Sequence, residues 1–496
     1  MKNYYSKSKY VRFIGCNKRL WLEKYKPEFE EDHNNEEVFI NGNMIGDLAM
    51  GLFGPYYLAE TPDNNLPLQV KNTIDAIERG EDVICEAAFF FENNYCAVDI
   101  LKKDQDGVYS VYEVKSTTKV SETYLDDLAY QYFVLKSLNI AINRLNLVYI
   151  NNEYIFDGKL DLSKFFEIKD LTEEVKAKYF EVKNNISIAD SILSSALEPD
   201  SVMGSVCNRY DDCPYFKYCK KYNNIPLENS VYDLYGNRNK SKQVKSKILS
   251  FQDLLDNKVK LNPIQARQVD FALNDRKDIY LEKENIKDFI TKLKFPLYFF
   301  DFESYQSAVP QFAGLKPYQQ IPFQYSLHIL NSDGSVIHKE FLGDGFHNPI
   351  EDIIKSMIND LGSSGSIVAY NDSFEKSRIK EMADMMPEYK EKLEAFLPRF
   401  VDLAKIFQKG YCYNRLMGGS FSIKSVLPAL FPNDESLNYK NLDEIHRGDE
   451  ASNAYMKLSS LSEEEYQKTR YNLLQYCKLD TYAMLKIYYK IIELVY

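Results

Sequence analysis

Two carboxylates one residue apart in an apolar strand are the first feature with chemical consequences: Phe299-Phe300-Asp301-Phe302-Glu303. Residues two apart in a strand share a face, so Asp301 and Glu303 project together. The apolar run Phe295–Phe302 has the density of a buried central strand and gives the acids little other reason to be there. Burying unpaired carboxylates is costly, which makes ligation of a hard divalent cation the natural explanation. Near the C-terminal end of the sequence, Tyr476-Cys477-Lys478-Leu479-Asp480 sets Tyr476 and Asp480 at i and i+4 on one helical face. Between these segments, Tyr370-Asn371-Asp372-Ser373-Phe374-Glu375 runs from a strand end into a helix start and offers Glu375 as a further acid. Asp372 and Asp402 stand in reserve for that role.

A second constellation lies in the first half of the chain. Asp99 ends the segment Ala97-Val98-Asp99-Ile100, and Glu113 and Lys115 alternate on the next strand, Tyr112-Glu113-Val114-Lys115. The helix that follows carries Asp127 and Gln131 on one face. Two carboxylates can share a cation that activates water, and a neighbouring lysine can stabilise charge on a phosphate in transit. A Glu-x-Lys pair alone is commonly just the solvated face of a strand. The order of strand, strand and helix, with cysteines on both flanks, carries more weight.

Those cysteines are Cys207, Cys213 and Cys219, equally spaced in VCNRYDDCPYFKYC, and Cys16 far upstream. Four thiolates suffice for one iron–sulfur cluster. A structural zinc more often uses tight C-x2-C pairs, and ordinary thiols are the plain alternative. Cys85, Cys96, Cys412 and Cys477 lack partners at useful spacing and read as core residues, with no chemistry assigned to Cys477. The five histidines show no ligand spacing. Gly418-Gly419 ahead of Phe421–Pro428 reads chiefly as a helix entry, with phosphate contact as the lesser reading. The Tyr318–Gln324 stretch suits either a packed loop or a contact to a nucleotide terminus.

The elements that must position these residues follow from pattern and punctuation. Helices are expected at Asn17–Lys26, near Gly42–Leu52 and at Tyr124–Leu138. Strands are expected across Ile84–Ile100 and Tyr109–Ser116, joined by an Asp106-Gly107 turn, and at Asn146–Ile150. A polar, Lys/Asn-rich stretch contains a helical hairpin, Ser250–Leu261 and Ile264–Leu273, with Pro263 suited to a helix start. Strands follow at Phe295–Phe302, Pro322–Leu330, Val336–Leu342 and Ser366–Tyr370, with helices after Ser373. This gives an α/β chain with a domain over 1–220, a helical linker subdomain over 221–294 and a second domain over 295–496.

The bulk properties set limits. With 496 residues the chain exceeds one ordinary core, and 45% apolar with 27% charged residues is a globular profile. No apolar run reaches the length of a membrane span, and the N-terminal stretch lacks a signal peptide's apolar segment, so a cytoplasmic protein is expected. The net charge of −12 argues against a stable nucleic-acid coat but not against a nuclease, whose metal-binding acids make its site negative. The 39 tyrosines offer many rings for base stacking.

The Asp99, Glu113, Lys115 and Gln131 set resembles the RecB-like branch of PD-(D/E)XK nucleases. With Cys16, Cys207, Cys213 and Cys219 it is similar to the iron–sulfur members of that branch, of AddAB and CRISPR-associated type. The resemblance implies a restriction-endonuclease-type α/β core, metal held by Asp99 and Glu113, and a [4Fe–4S] cluster pinning the two ends of the domain. Many relatives place a ligand histidine on the early helix. Here that segment is Gly42–Asp47 without one, and Glu86 or Asp47 would have to substitute. The second half resembles the DEDD exonucleases of the RNase H-like (DnaQ-type) fold, of the tyrosine subtype. That resemblance implies Mg²⁺ or Mn²⁺ held by Asp301, Glu303, Glu375 and Asp480, with Tyr476 orienting the attacking water. Glu375 stands where that family usually has Asp. Over nearly its full length the chain is similar to a bacterial family of unassigned role that fuses the two modules. The expectation is a metal-dependent nuclease, foremost a DNA 3′–5′ exonuclease of repair, recombination or defence. An RNase and a nucleic-acid-binding scaffold without chemistry are the rivals.

Overall fold

The structure is a computed structural model and describes residues 4–31, 36–61, 65–105, 107–201, 203–204, 207 and 213–496, with the backbone alone over 36–41. The chain forms two compact units of mixed α/β architecture. The first comprises residues 1–227, 239–247 and 308–318; the second comprises 228–238, 248–307 and 319–496. The expected linker over 221–294 is therefore divided between the units and does not stand apart. Helix caps explain part of that stretch. Ser250 and Asn262 each close a capping box, and Pro263 opens the helix Pro263–Leu273.

The first unit is built on a six-stranded sheet in sequential order: β1 Tyr57–Leu58, β2 Val83–Phe91, β3 Asn94–Gln105, β4 Val108–Lys115, β5 Ala141–Ile150 and β6 Phe166–Asp170. The pairs β1/β2 and β4/β5 are parallel and the others antiparallel. Between β4 and β5 the chain crosses over as the helix Glu122–Ser137, as a parallel pair requires. One sheet face packs on that helix and on Lys7–Gly15 and Tyr179–Ser194, burying Val98, Val111, Leu128, Tyr10, Phe13 and Ile186. The other face buries Ile100, Val148 and Phe165 against Ile45 and Ala49 of the helix Glu36–Met50.

The expected strand Ile84–Ile100 is two strands. The chain reverses at Glu92-Asn93, with Phe91 paired to Asn94 and Glu92 in left-handed backbone at φ 51°. No glycine marks that turn, which is why alternation alone ran the two strands together. Asp106 of the expected Asp-Gly turn lies outside the described residues; Gly107 has φ 73°.

In the second unit β8 Leu297–Tyr305 is the middle strand of a five-stranded sheet ordered β10-β9-β8-β11-β12. β9 Ile321–Leu330 and β10 Val336–Leu342 run antiparallel on one side; β11 Ser366–Ala369 and β12 Phe400–Asp402 run parallel on the other. A minor two-stranded ribbon pairs β7 Tyr280–Leu281 with β13 Cys412–Tyr413. Every residue of β9 is buried, and the helix Glu463–Val495 lies against β8 and β9. Ahead of β11, Arg399 donates to the carbonyls of Leu361, Gly362, Ser364 and Gly365. Gly365 has φ 92°, and a Cβ there would meet the Pro296 carbonyl at 2.3 Å, so only glycine fits. Among the described residues no helix is long and apolar enough to cross a membrane.

Candidate active site

Alternation in β8 puts Asp301 and Glu303 on one face, and the long helix brings Asp480 to them. Helical spacing delivers Tyr476 and Cys477 beside Asp480, and all three are buried. The sulfur of Cys477 and carboxylate oxygens of Asp301 and Glu303 lie within 4.8 Å of one another, and the thiol faces the Asp301 carbonyl oxygen at 3.8 Å. Among the described residues no Lys, Arg or His reaches ion-pair distance of Asp301, Glu303, Glu375 or Asp480. Such unpaired burial costs several kcal/mol per carboxylate.

The proton affinities reflect that crowding. Burial, then the charges of Asp480, Glu303 and Glu375, hold the Asp301 carboxyl well above the usual range. Glu303 is raised by burial and by Asp480, against a lowering contribution from Lys424. Burial lifts Asp480 to about 6, although hydroxyls of Tyr439 and Tyr476 and the Lys424 ammonium favour its ionised form. Tyr439 donates to Asp480 Oδ1 at 2.5 Å, a contact with no signal in the sequence because it comes from a 3₁₀ turn 41 residues away.

The third acid is sorted by hydrogen bonding. Asp402 accepts from the backbone N–H groups of Asn371 and Ala404, and so caps a turn in which Asn371 has φ 66°. Asp372 pairs with Lys376. Glu375 is 3% exposed, its Oε2 has no partner, and burial with Asp372 and Asp402 nearby lifts it to about 8. Of the three, Glu375 alone is left with an orphaned oxygen, and its charge is felt at both Asp301 and Glu303.

A cleft of about 210 Å³ opens beside these acids, lined by Asp301, Asp480, Tyr370, Asn371, Ser422 and Lys424, among others. The Gly418-Gly419 segment is explained by packing. A Cβ on Gly419 would meet the Asp233 carbonyl at 2.2 Å, and the segment then leads to Ser422 and the helix Ile423–Leu430. Oxygen donors around a cleft, with no cation at ion-pair distance among the described residues, suit hard divalent ions such as Mg²⁺ or Mn²⁺.

The first-unit constellation also assembles, but it is cation-paired. Glu113 is fully buried; its Oε1 accepts from Lys7 at 2.5 Å and Lys115 at 2.8 Å, and its Oε2 accepts from Gln131 at 2.6 Å. Lys115 also reaches Asp127 at 2.6 Å. Asp99 Oδ2 accepts from the Val114 N–H at 2.6 Å, and Oδ1 lies 3.6 Å from Lys7. Burial opposes ionisation of Glu113, yet Lys115 and Lys7 bring it down to about 2. Burial, with Glu113 adding to it, raises Asp99 to about 6. Glu86, at the register position opposite Asp99 and in left-handed backbone at φ 52°, is lifted by burial and by Asp99 to about 8. Of the two proposed substitutes for the missing histidine, Glu86 joins the acids and Asp47 is exposed.

Cys16, Cys207, Cys213 and Cys219 line one cavity with Arg12 and Arg19. Cys16 is the extended residue between the helices Lys7–Gly15 and Asn17–Tyr25, and Cys219 lies in the helix Phe216–Tyr222. Around them Lys18, Lys26 and Tyr218 converge on Glu198, and Trp21 donates to the Ser195 carbonyl. Burial raises the thiols of Cys207 and Cys213 and lifts Cys219 to about 12. Four sulfurs facing one cavity suit a thiophilic group. Among the described residues they are not gathered within the 4.8 Å that would mark a single-ion site, whereas one zinc would draw its sulfurs to about 3.8 Å apart. Cys85, Cys96 and Cys412 are buried core thiols. Of the Tyr318–Gln324 stretch, Tyr318 packs in the first unit, donating to the Ser116 carbonyl at 2.9 Å.

Residues 298–422 match the family described as a domain of unknown function, DUF2779, a span that includes Asp301, Glu303 and Glu375. Over 224 residues, 41% of this chain and 33% of the relative, the sequence is 31% identical to the uncharacterised protein MG366 of Mycoplasma genitalium. Its homologue in Mycoplasma pneumoniae is 29% identical over 54% of this chain and 41% of its own length. The uncharacterised protein UU173 of Ureaplasma parvum is 30% identical over 46% of this chain and 36% of its own. The chain thus spans between a third and about two fifths of the curated relatives it matches.

Proposed function

We propose that the second unit is a divalent-metal-dependent 3′–5′ exonuclease of DEDD type on an RNase H-like fold, acting on DNA. The observation that carries this reading is that Asp301 and Glu303 share one face of β8 within electrostatic reach of Asp480 and Glu375, with no cation at ion-pair distance among the described residues, beside a cleft lined by Asp301 and Asp480. These four residues would hold Mg²⁺ or Mn²⁺, which when bound supplies an activated water and stabilises charge on the leaving oxygen. The chain's own groups do the rest. Tyr476 and Tyr439 keep Asp480 ionised and oriented. Lys424, on the cleft wall, offers a cation to a backbone phosphate, and Ser422 and Asn371 offer hydrogen bonds to a terminal nucleotide. The central place of β8 supports the reading, because the acids then sit on the most constrained strand of the unit.

The first unit, on this proposal, is a RecB-like PD-(D/E)XK unit whose four cysteines hold a [4Fe–4S] cluster, with Arg12 and Arg19 beside it to offset its charge. Manganese titration of the purified protein tests the principal claim. Binding that is abolished in Asp301→Asn and weakened in Glu375→Gln is expected; binding unchanged in both variants would overturn it.

A further inference from the structure

The first unit contains a cation where a nuclease of its type needs a metal. The ammonium of Lys7 lies between two carboxylates, 2.5 Å from Glu113 Oε1 and 3.6 Å from Asp99 Oδ1. Oxygen–metal distances of about 2.0–2.6 Å would place a divalent ion in that same space. We infer that Lys7 is the resident cation of the Asp99–Glu113 pair, so that the folded first unit takes no divalent metal there and leaves hydrolysis to the second.

Four observations carry this beyond the proposed function. The acceptors are used: both oxygens of Glu113 and one of Asp99 already receive donors, leaving Asp99 Oδ1 as the single open oxygen. Two ammonium groups already serve the cluster: Lys7 and Lys115 face Asp99, Glu113 and Asp127 at 2.5–3.6 Å. The lysine is anchored: its helix, Lys7–Gly15, is capped by Ser6 and buries Tyr10 and Phe13 in the core, so the ammonium is delivered by packed structure. Finally, the second unit shows the opposite arrangement, with four acids and no ion-pair partner among the described residues. One chain thus holds one acid cluster that is internally compensated and one that is not.

The test counts manganese on the full-length, cluster-loaded protein by electron paramagnetic resonance, in a parent carrying Asp301→Asn and Asp480→Asn to silence the second site. The parent is expected to bind no Mn²⁺ that depends on Asp99. Adding Lys7→Met is expected to create one Mn²⁺ site, about tenfold or more tighter than any in the parent, that disappears with Asp99→Asn. Lys7→Arg, which keeps the charge, is expected to create none. The melting temperature of the Lys7→Met protein should fall in EDTA and recover with Mn²⁺. An Asp99-dependent Mn²⁺ site in the parent would overturn the inference, as would a folded Lys7→Met protein that gains no site. Should Lys7→Met fail to fold, the parent and its Asp99→Asn form still decide the matter: equal Mn²⁺ counts support the inference and a lost ion refutes it.

Discussion

The Tyr439 hydroxyl donates a 2.5 Å hydrogen bond to Oδ1 of Asp480, so an acid on the last helix is held from a 3₁₀ turn that lies outside all three acidic motifs. The bond stabilises the carboxylate form that a metal ion requires. Tyr439→Phe removes it, and the Asp480 pKa should rise further above 6. We expect activity to drop about tenfold near pH 6.5 and less above pH 8, with the acid limb of the rate profile displaced upward. A profile that keeps its position would assign Tyr439 a packing role only.

The uncompensated acids should make the metal-free protein unstable at neutral pH. Their folded pKa values exceed the unfolded ones, with Asp480 at about 6 and Glu375 at about 8. Between about pH 4 and pH 8 the unfolded chain therefore binds fewer protons, and stability falls as pH rises. In EDTA, Asp301→Asn should raise stability by about 1–2 kcal/mol, or roughly 2–4 °C, while abolishing cleavage. Calorimetry across that range checks both signs, and a Tm that climbs with pH in EDTA would contradict the account.

Two neighbouring imidazoles, one buried and one half-buried, act in the opposite direction. His328 bonds to Thr481 at 2.8 Å and His338 to Ser326 at 3.0 Å, with their rings 4.5 Å apart. Burial, then the charges of His338 and Lys478, push His328 down to about 3; burial and Lys478 bring His338 to about 4. Both folded values lie below the unfolded value of 6.5, so their contribution is complete above that pH and is lost as pH falls towards 4. His328→Gln should flatten the acid limb of stability measured with Mn²⁺ present, and an unchanged limb would remove the pair from the explanation.

Protein purified without oxygen should carry about four iron atoms per chain. Cys213→Ala should lose them and leave the segments around Asn17–Tyr25 and Phe216–Tyr222 open to protease, because Trp21, Tyr215 and Cys213 pack as one small core. The second unit should stay intact. Stoichiometric zinc in place of iron would rule out the cluster.

What the sequence disclosed follows from periodicity. Asp301 and Glu303 share a face because β8 is regular, and Tyr476 and Asp480 because their helix is. Equal spacing singled out Cys207, Cys213 and Cys219, which line one cavity together with the upstream Cys16. What it concealed depends on tertiary approach. Lys7 and Tyr439 reach the acids from elements 106 and 41 residues away from their partners, and neither belongs to a repeating pattern. Cys477 read as plain core, and it is buried, but its helix phase also sets the thiol against Asp301 and Glu303. The division of the linker between two units was likewise out of reach, since local composition says nothing about which core a polar segment joins.

On the proposed function, one metal site, in the second unit, cuts DNA from the 3′ end. The most direct test incubates anaerobically purified protein with Mn²⁺ and end-labelled single-stranded DNA, duplex DNA and RNA, alongside Asp301→Asn and Lys115→Ala. Stepwise 3′ shortening of DNA that disappears in Asp301→Asn and persists in Lys115→Ala is expected. Loss of cleavage only in Lys115→Ala, or no cleavage by folded, iron-containing wild type, would contradict it.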